Sequence, residues 1–273
     1  MEKLVLNIQL FGGRGASSSI GATAIGGGAG AGIGASAGGN TDTQVDDTQV
    51  ASAFSTDYNT FMAMTDDEKA DFISANIQQG VPVHLAQNDF QRFIYNSGLN
   101  DKPDIVSDAT LDTMTGTEMF RTVNNVYDRK NDISYSADQI AKQVMAGRVT
   151  RVSDNGGSVY GRGIYFADNY SDSATWYGNT TGNVKKTAVM RAKLNNNAKV
   201  INYNTAVSGV QSEIRSGSKL GKTLRKCDSD SQASIYAMAK GYNVISSGNG
   251  YLNVLNRNAI TMSDKVKPKS SSW

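Results

Sequence analysis

The chain has 273 residues and a net charge of +2, with 19% charged residues, enough length for one large domain or two small ones with an ordinary core. A charge balance this close to neutral gives no argument for nucleic acid as a partner. One cysteine, Cys227, excludes an internal disulfide, and one histidine, His84, excludes histidine clusters; most zinc enzymes and Cys-His or Ser-His-Asp hydrolases fall away unless that histidine serves. No run approaches the roughly 20 consecutive apolar residues of a membrane-crossing helix. A secretory signal is not evident, so the expectation is a soluble protein kept in a cytosol, with no membrane partner.

Residues 1–15, MEKLVLNIQLFGGRG, form a short apolar head, followed to about residue 50 by a Gly/Ala/Ser tract. Glycine at that density costs too much backbone entropy to order without help, so 1–50 reads as a peptide on a disordered, flexible linker. Residues 51–110 read as a helical segment. Thr65 and Glu68 make a capping box before DEKADFISANI, with Gly80 and Pro82 as its stop, and a second helix runs through AQNDFQRFIYNSG to Gly98. His84, at the start of that helix, reads as a structural or solvent residue.

Residues 111–264 alternate short strands with a few helices. Gly116–Asn124 reads as a strand, Ser136–Gly147 as a capped helix, and GRVTRVSD and SVYGRGIYFA as strands across a DNGG turn. KTAVMRAKL and AKVINY are strand-like, and SDSQASIYAMAKGY is a helix stopped by Gly241. NVISS and YLNVLNRNAITM close the domain as strands of a hairpin turned by GNG. The basic cluster Lys219–Lys226 reads as a solvated loop or helix face, or as a phosphate patch. Residues 265–273 read as a disordered tail. No βαβα alternation is present, so the expected class is α+β with a mixed or antiparallel sheet and flanking helices.

Gly161–Gly178, GRGIYFADNYSDSATWYG, concentrates aromatic rings beside hydroxyls and carboxylates at a strand-to-helix joint. The glycines allow close backbone approach, and Gly163 precedes the strand carrying Tyr165. A helix capped by Asp172 or Ser171 then places Ser173 and Trp176 on one face. The product is a slot between two rings with a hydroxyl at one end, suited to a flat heteroaromatic amide. The plainer reading of the same spacing is core packing.

This run resembles the central motif of the ADP-ribosyltransferase superfamily, in its poly(ADP-ribose) polymerase and diphtheria-toxin branch, where G-[KR]-G-I-Y-F-A-D leads to S-x-S-A-x-Y. The resemblance implies a split mixed or antiparallel sheet. It also implies NAD as substrate, with Tyr165 and Trp176 sandwiching the nicotinamide and Ser173 holding its carboxamide. The family's first-strand motif falls on MFRTVN, with Arg121 as an NAD-binding or catalytic arginine and Thr122 where glycine usually stands. An arginine there would hold the pyrophosphate through charge-assisted bonds. The resemblance implies no metal, because the leaving pyridinium is already cationic.

The family also places a glutamate on a late strand, where a carboxylate stabilises the oxocarbenium-like state. GNGYLNVLNRNAI matches that strand, but the glutamate's position falls on Tyr251. No Asp or Glu lies between Asp230 and Asp264. Glu213, in VSGVQSEIRSG, is a candidate substitute from a neighbouring loop, its plainer reading being a solvated surface charge.

The opening N-[LI]-Q-L-F-G-G-R-G form resembles the amino termini of minor head and head-associated proteins of tailed bacteriophages. It implies residues 1–15 docking onto a capsid or portal, location in the virion and then the host cytoplasm, and an acceptor protein of host or phage. Three readings stay open: a mono-ADP-ribosyltransferase, a transferase fold reduced to a structural module, and an NAD glycohydrolase.

Overall fold

The computed structural model describes residues 55–81, 88–99, 102–128, 132–148, 159–178 and 187–267. Three helices come first: α1 (Tyr58–Ala63), α2 (Asp66–Gln78) and α3 (Asp89–Ser97). Each starts where a side chain takes up an orphan N–H: Asp57 caps α1, the Thr65–Glu68 box caps α2, and Asn88 caps α3. Gly98, in the left-handed region, ends α3.

There follow β1 (Asp104–Val106), α4 (Asp108–Thr113), β2 (Glu118–Asn124), β3 (Val126–Asp128), β4 (Ile133–Tyr135) and α5 (Ala137–Met145). The motif region contributes β5 (Ile164–Ala167) and α6 (Tyr170–Gly178). After them come β6 (Thr187–Leu194), β7 (Val200–Asn202), α7 (Tyr203–Ser216), α8 (Lys219–Lys226), α9 (Ser229–Ala239), β8 (Val244–Ser246), β9 (Tyr251–Val254) and β10 (Ile260–Lys267).

Eight strands form one mixed sheet in the order β1-β10-β6-β2-β5-β9-β8-β7, and β3 and β4 pair separately. The sheet is α+β in class, with flanking helices, and it is nearly two half-sheets. β2 matches β6 along its whole length, Glu118 to Asn124, and β5 matches β9 from Ile164 to Ala167. Between β2 and β5 a single pair remains, Phe120 opposite Ala167. The strands diverge beyond it and leave a seam.

Opposed residues of an antiparallel pair share a face, and neighbours along a strand alternate. Phe120 and Thr122 therefore lie on the same face as Tyr165, Ala167, Tyr251 and Asn253; Met119, Arg121, Val123, Ile164 and Phe166 belong to the other. On this second face α5 closes a core with Ile140, Val144, Met190, Val254 and Met262. A separate core fills the helical layer of α1–α3 and α7–α9, where Phe61, Phe93, Leu99, Leu224 and Ile235 are fully buried and Ile201 and Ile245 join from β7 and β8.

Several expectations are corrected. The strand expected over Tyr251–Met262 is broken: Asn256 caps a short 3-10 turn at Arg257–Ala259, and the chain leaves β9 and returns as β10 at the opposite half of the sheet. The loop expected around Glu213 is the helix α7; Lys219–Lys226, expected as a loop or helix face, is the helix α8, and what departs from a solvated face is that it buries Leu220 and Leu224. The helical segment 51–110 also holds β1, which pairs with β10, and the expected tail from 265 begins as strand, with Val266 opposite Met190 and Lys267 opposite Val189. The helix after the motif starts at Tyr170, and its cap is Asn169, whose Oδ1 accepts from the Asp172 N–H at 2.8 Å, in place of Asp172 or Ser171. His84, residues 1–50 and the strand expected over GRVTRVSD from residue 149 onward lie outside the described residues.

Candidate active site

Side-chain bonds cross the seam. Arg121 donates from Nη1 to the Tyr165 carbonyl at 3.0 Å, and the hydroxyls of Thr122 and Ser173 meet at 2.9 Å. Register alone would bring Thr122 opposite Tyr165; where the ladder stops, the Arg121 guanidinium satisfies a backbone acceptor that β2 no longer reaches. Arg121 is 2% exposed, Thr122 0% and Ser173 1%, so all three are interior groups of a polar joint.

Arg121 thus departs from its expected place as an open pyrophosphate shelf. Adjacent residues of a strand face opposite ways, and it is Thr122, not Arg121, that shares the face of Tyr165. A methyl-bearing Thr122 in place of glycine fills space and supplies a hydroxyl, which keeps Ser173 oriented.

Tyr165 is 8% exposed, and its hydroxyl is locked: it donates to the Gly161 carbonyl at 2.6 Å and accepts from the Tyr160 N–H at 2.9 Å. The turn that provides these groups is anchored from several elements. Asn253 Nδ2 donates to the Tyr160 and Arg162 carbonyls, Ser234 Oγ donates to the Arg162 carbonyl at 2.6 Å, and Arg162 pairs with Asp230 at 2.8 Å. Gly163 is needed because a Cβ would sit 2.1 Å from Asn253 Oδ1. Sequence reasoning missed Asn253, Ser234 and Asp230 as supports; only the alternation of β9, which puts Asn253 on the same face as Tyr251, hinted at the first.

Trp176 lies within α6, three residues after Ser173, and its side chain is outside the described residues. Tyr251 opens β9 opposite Ala167, at the one point where the two half-sheets touch. Glu213 is not brought there. It sits on α7, which packs over β7 and β8, and its carboxylate accepts from the Ser218 hydroxyl and pairs with Lys240 at 2.9 Å. The Ser218 bond first, and Lys240 beside it, hold the Glu213 carboxyl below the usual range against the opposing effect of burial. Cys227 is equally remote from nucleophilic chemistry, since burial pushes its thiol up to about 12.

A cavity of about 360 Å³ opens near the same end of β5, lined by Asp108, Asp112, Glu118, Phe120, Tyr170 and Arg191 with Lys267. Its size suits a small ligand. The Tyr170 ring meets Phe120 edge-on at 5.9 Å, and Arg191 is held between Glu118 and Asp112. Among the described residues no group of three or more His, Cys, Asp or Glu is placed to hold a metal ion, and no helix is long and apolar enough to cross a membrane. No family model, no curated protein and no solved structure matches this chain.

Proposed function

We propose that the protein is an NAD-dependent mono-ADP-ribosyltransferase of a bacteriophage, with the split sheet of that superfamily, that passes ADP-ribose to a host or phage protein and releases nicotinamide. The observation that carries this reading is the seam. β2 and β5 touch at one residue pair, and the three motif residues Thr122, Tyr165 and Ser173 gather on one face where they part. Tyr165, with Trp176 from α6, would take the nicotinamide ring; Ser173 would take its carboxamide; Gly163 lets the turn close over β9. Arg121 serves by holding β5 to β2 across the gap. The apolar head, residues 1–15, would dock the protein on a capsid or portal, which places it in the virion and then in the host cytoplasm.

A second reading, a transferase fold kept as a structural part of the phage head, is favoured by two observations: Tyr251 stands where the glutamate is expected, and Glu213 is engaged elsewhere. Adenylate-labelled NAD incubated with the purified chain and a bacterial lysate separates the readings. A labelled protein band, lost in Tyr165→Ala, supports the transferase. Nicotinamide release without a band marks a glycohydrolase, and binding of NAD without turnover marks the structural module.

A further inference from the structure

We propose that the exposed face of α8 is a binding ridge for the phosphate backbone of nucleic acid, engaged without regard to sequence. The ridge belongs to the helical layer and takes no part in the transfer step. α8 reads KLGKTLRK, four cations and no carboxylate in eight residues. At 3.6 residues per turn, Lys219, Lys222, Arg225 and Lys226 fall within one arc of about 120°. All four are exposed, while Leu220, Gly221, Thr223 and Leu224 are buried. A Cβ on Gly221 would lie 2.0 Å from the Glu213 carbonyl oxygen, so α8 is pressed against α7 and the ridge stands on a fixed element.

Little on the surface neutralises this face. Lys219 pairs with Asp71 of α2 and feels Asp67 beside it, but Lys222, Arg225 and Lys226 have no ion pair among the described residues. Arg225 donates from Nη2 to the Ile214 carbonyl at 3.1 Å, which sets it beside the end of α7, where the exposed Arg215 adds a further cation. Glu213, the α7 carboxylate that reaches the start of α8 through Ser218, is paired with Lys240. Helix stability accounts for Arg225 and Lys226, cations in a last turn, where the helix dipole favours them. It does not account for Lys219 and Lys222, which stand toward the end that favours acidic side chains. A negative charge supplied from outside the chain does.

The chemistry of the partner follows from what accompanies the cations. The apolar side of α8 is turned into the core, so the ridge lacks the exposed apolar face with which a helix enters a membrane surface. The large hydrophobic residues exposed among the described residues are Ile105, Tyr127, Ile133, Val159 and Val200, none of them on α7 or α8, so the aromatic or apolar anchor of a protein partner is missing too. α8 carries no Asn or Gln to read a base edge. It offers charge alone over about 10 Å of helix, which suits a duplex backbone bearing one charge per about 1.7 Å. The net charge of +2 conceals this because the excess is local.

The test measures binding of a labelled DNA duplex of mixed sequence to the full chain by fluorescence anisotropy across a range of salt, with Lys222→Gln/Lys226→Gln and Lys142→Gln as variants and thermal melting to show that each is folded. Lys142, exposed on α5, is the control. With Lys222, Arg225 and Lys226 engaged, log K should fall against log salt with a slope of about −3. The double variant should lose about 2 units of that slope, Lys142→Gln none, and a duplex of unrelated sequence should bind equally well. Absence of duplex binding at low salt, or an unchanged slope in the double variant, would overturn the proposal. Poly-glutamate or anionic vesicles binding more tightly than the duplex, and released by the same double variant, would also overturn it and give the ridge to an acidic protein or a membrane.

Discussion

In the helical layer Phe93 lies 6.0 Å from Phe61 and 6.3 Å from Phe72, ring against ring, whereas the seam buries an arginine, two hydroxyls and an asparagine amide at comparable depth. Apolar contact is non-directional and tolerates repacking. Buried polar groups stabilise only while every bond is made, and each partner must arrive at a set distance and angle. The helical layer is built to hold the chain together, and the seam to hold a few atoms in place.

Phe93→Ala should show the largest loss of stability. Removing a fully buried ring costs about 3–5 kcal/mol, to be read from denaturant unfolding, while the folded fraction keeps its NAD affinity. Loss of affinity in step with stability would mean that the two regions are one cooperative unit in function as well.

Arg121→Ala should cost about 3 kcal/mol, since it leaves the Tyr165 carbonyl without its donor and opens space at the joint. It should also abolish nicotinamide release, because Tyr165 loses its tether to β2. A variant that unfolds no earlier yet loses turnover would return Arg121 to direct contact with the ligand. Thr122→Val, near in shape, should cost about 1–2 kcal/mol by stranding the Ser173 hydroxyl. Pairing it with Ser173→Ala should recover part of that cost, a non-additivity that a double-mutant cycle measures.

The smallest effect belongs to Glu213. Its folded pKa lies below the ordinary 4.5, chiefly through the Ser218 hydroxyl. The stabilisation is therefore complete above the unfolded value and is lost as pH falls through the folded one. For a partly exposed pair this amounts to less than about 1 kcal/mol. Glu213→Gln should flatten the acid limb of the stability curve below pH ~4.5 and leave nicotinamide release at neutral pH unchanged; a loss of turnover would make Glu213 the carboxylate after all.

Local signals made much of this molecule readable. The Thr65–Glu68 capping box starts α2, Gly98 ends α3, β2 runs through Glu118–Asn124, and β8 and β9 form the hairpin turned by Gly248–Gly250. Each of these depends on groups within a few residues of one another. Strand alternation, equally local, already shows that Arg121 and Thr122 face opposite ways.

Where helical order was missed, the deciding partner is distant. The segment around Glu213, expected as a loop, is the helix α7; a Cβ on Gly209 would come within 2.2 Å of the Tyr236 ring carbon Cζ, so glycine there lets α9 pack against α7. The stretch from Tyr251 to Met262 reads as one strand because its Tyr, Leu, Val, Ile and Thr residues favour strands, and it breaks where Arg257 is drawn inward to donate to the Val144 carbonyl at 3.1 Å. The motif residues of the slot are visible in the sequence as a resemblance. That Arg121 closes the seam and that Glu213 belongs to Lys240 depend on groups far apart along the chain, and only the closed fold brings them within bonding distance.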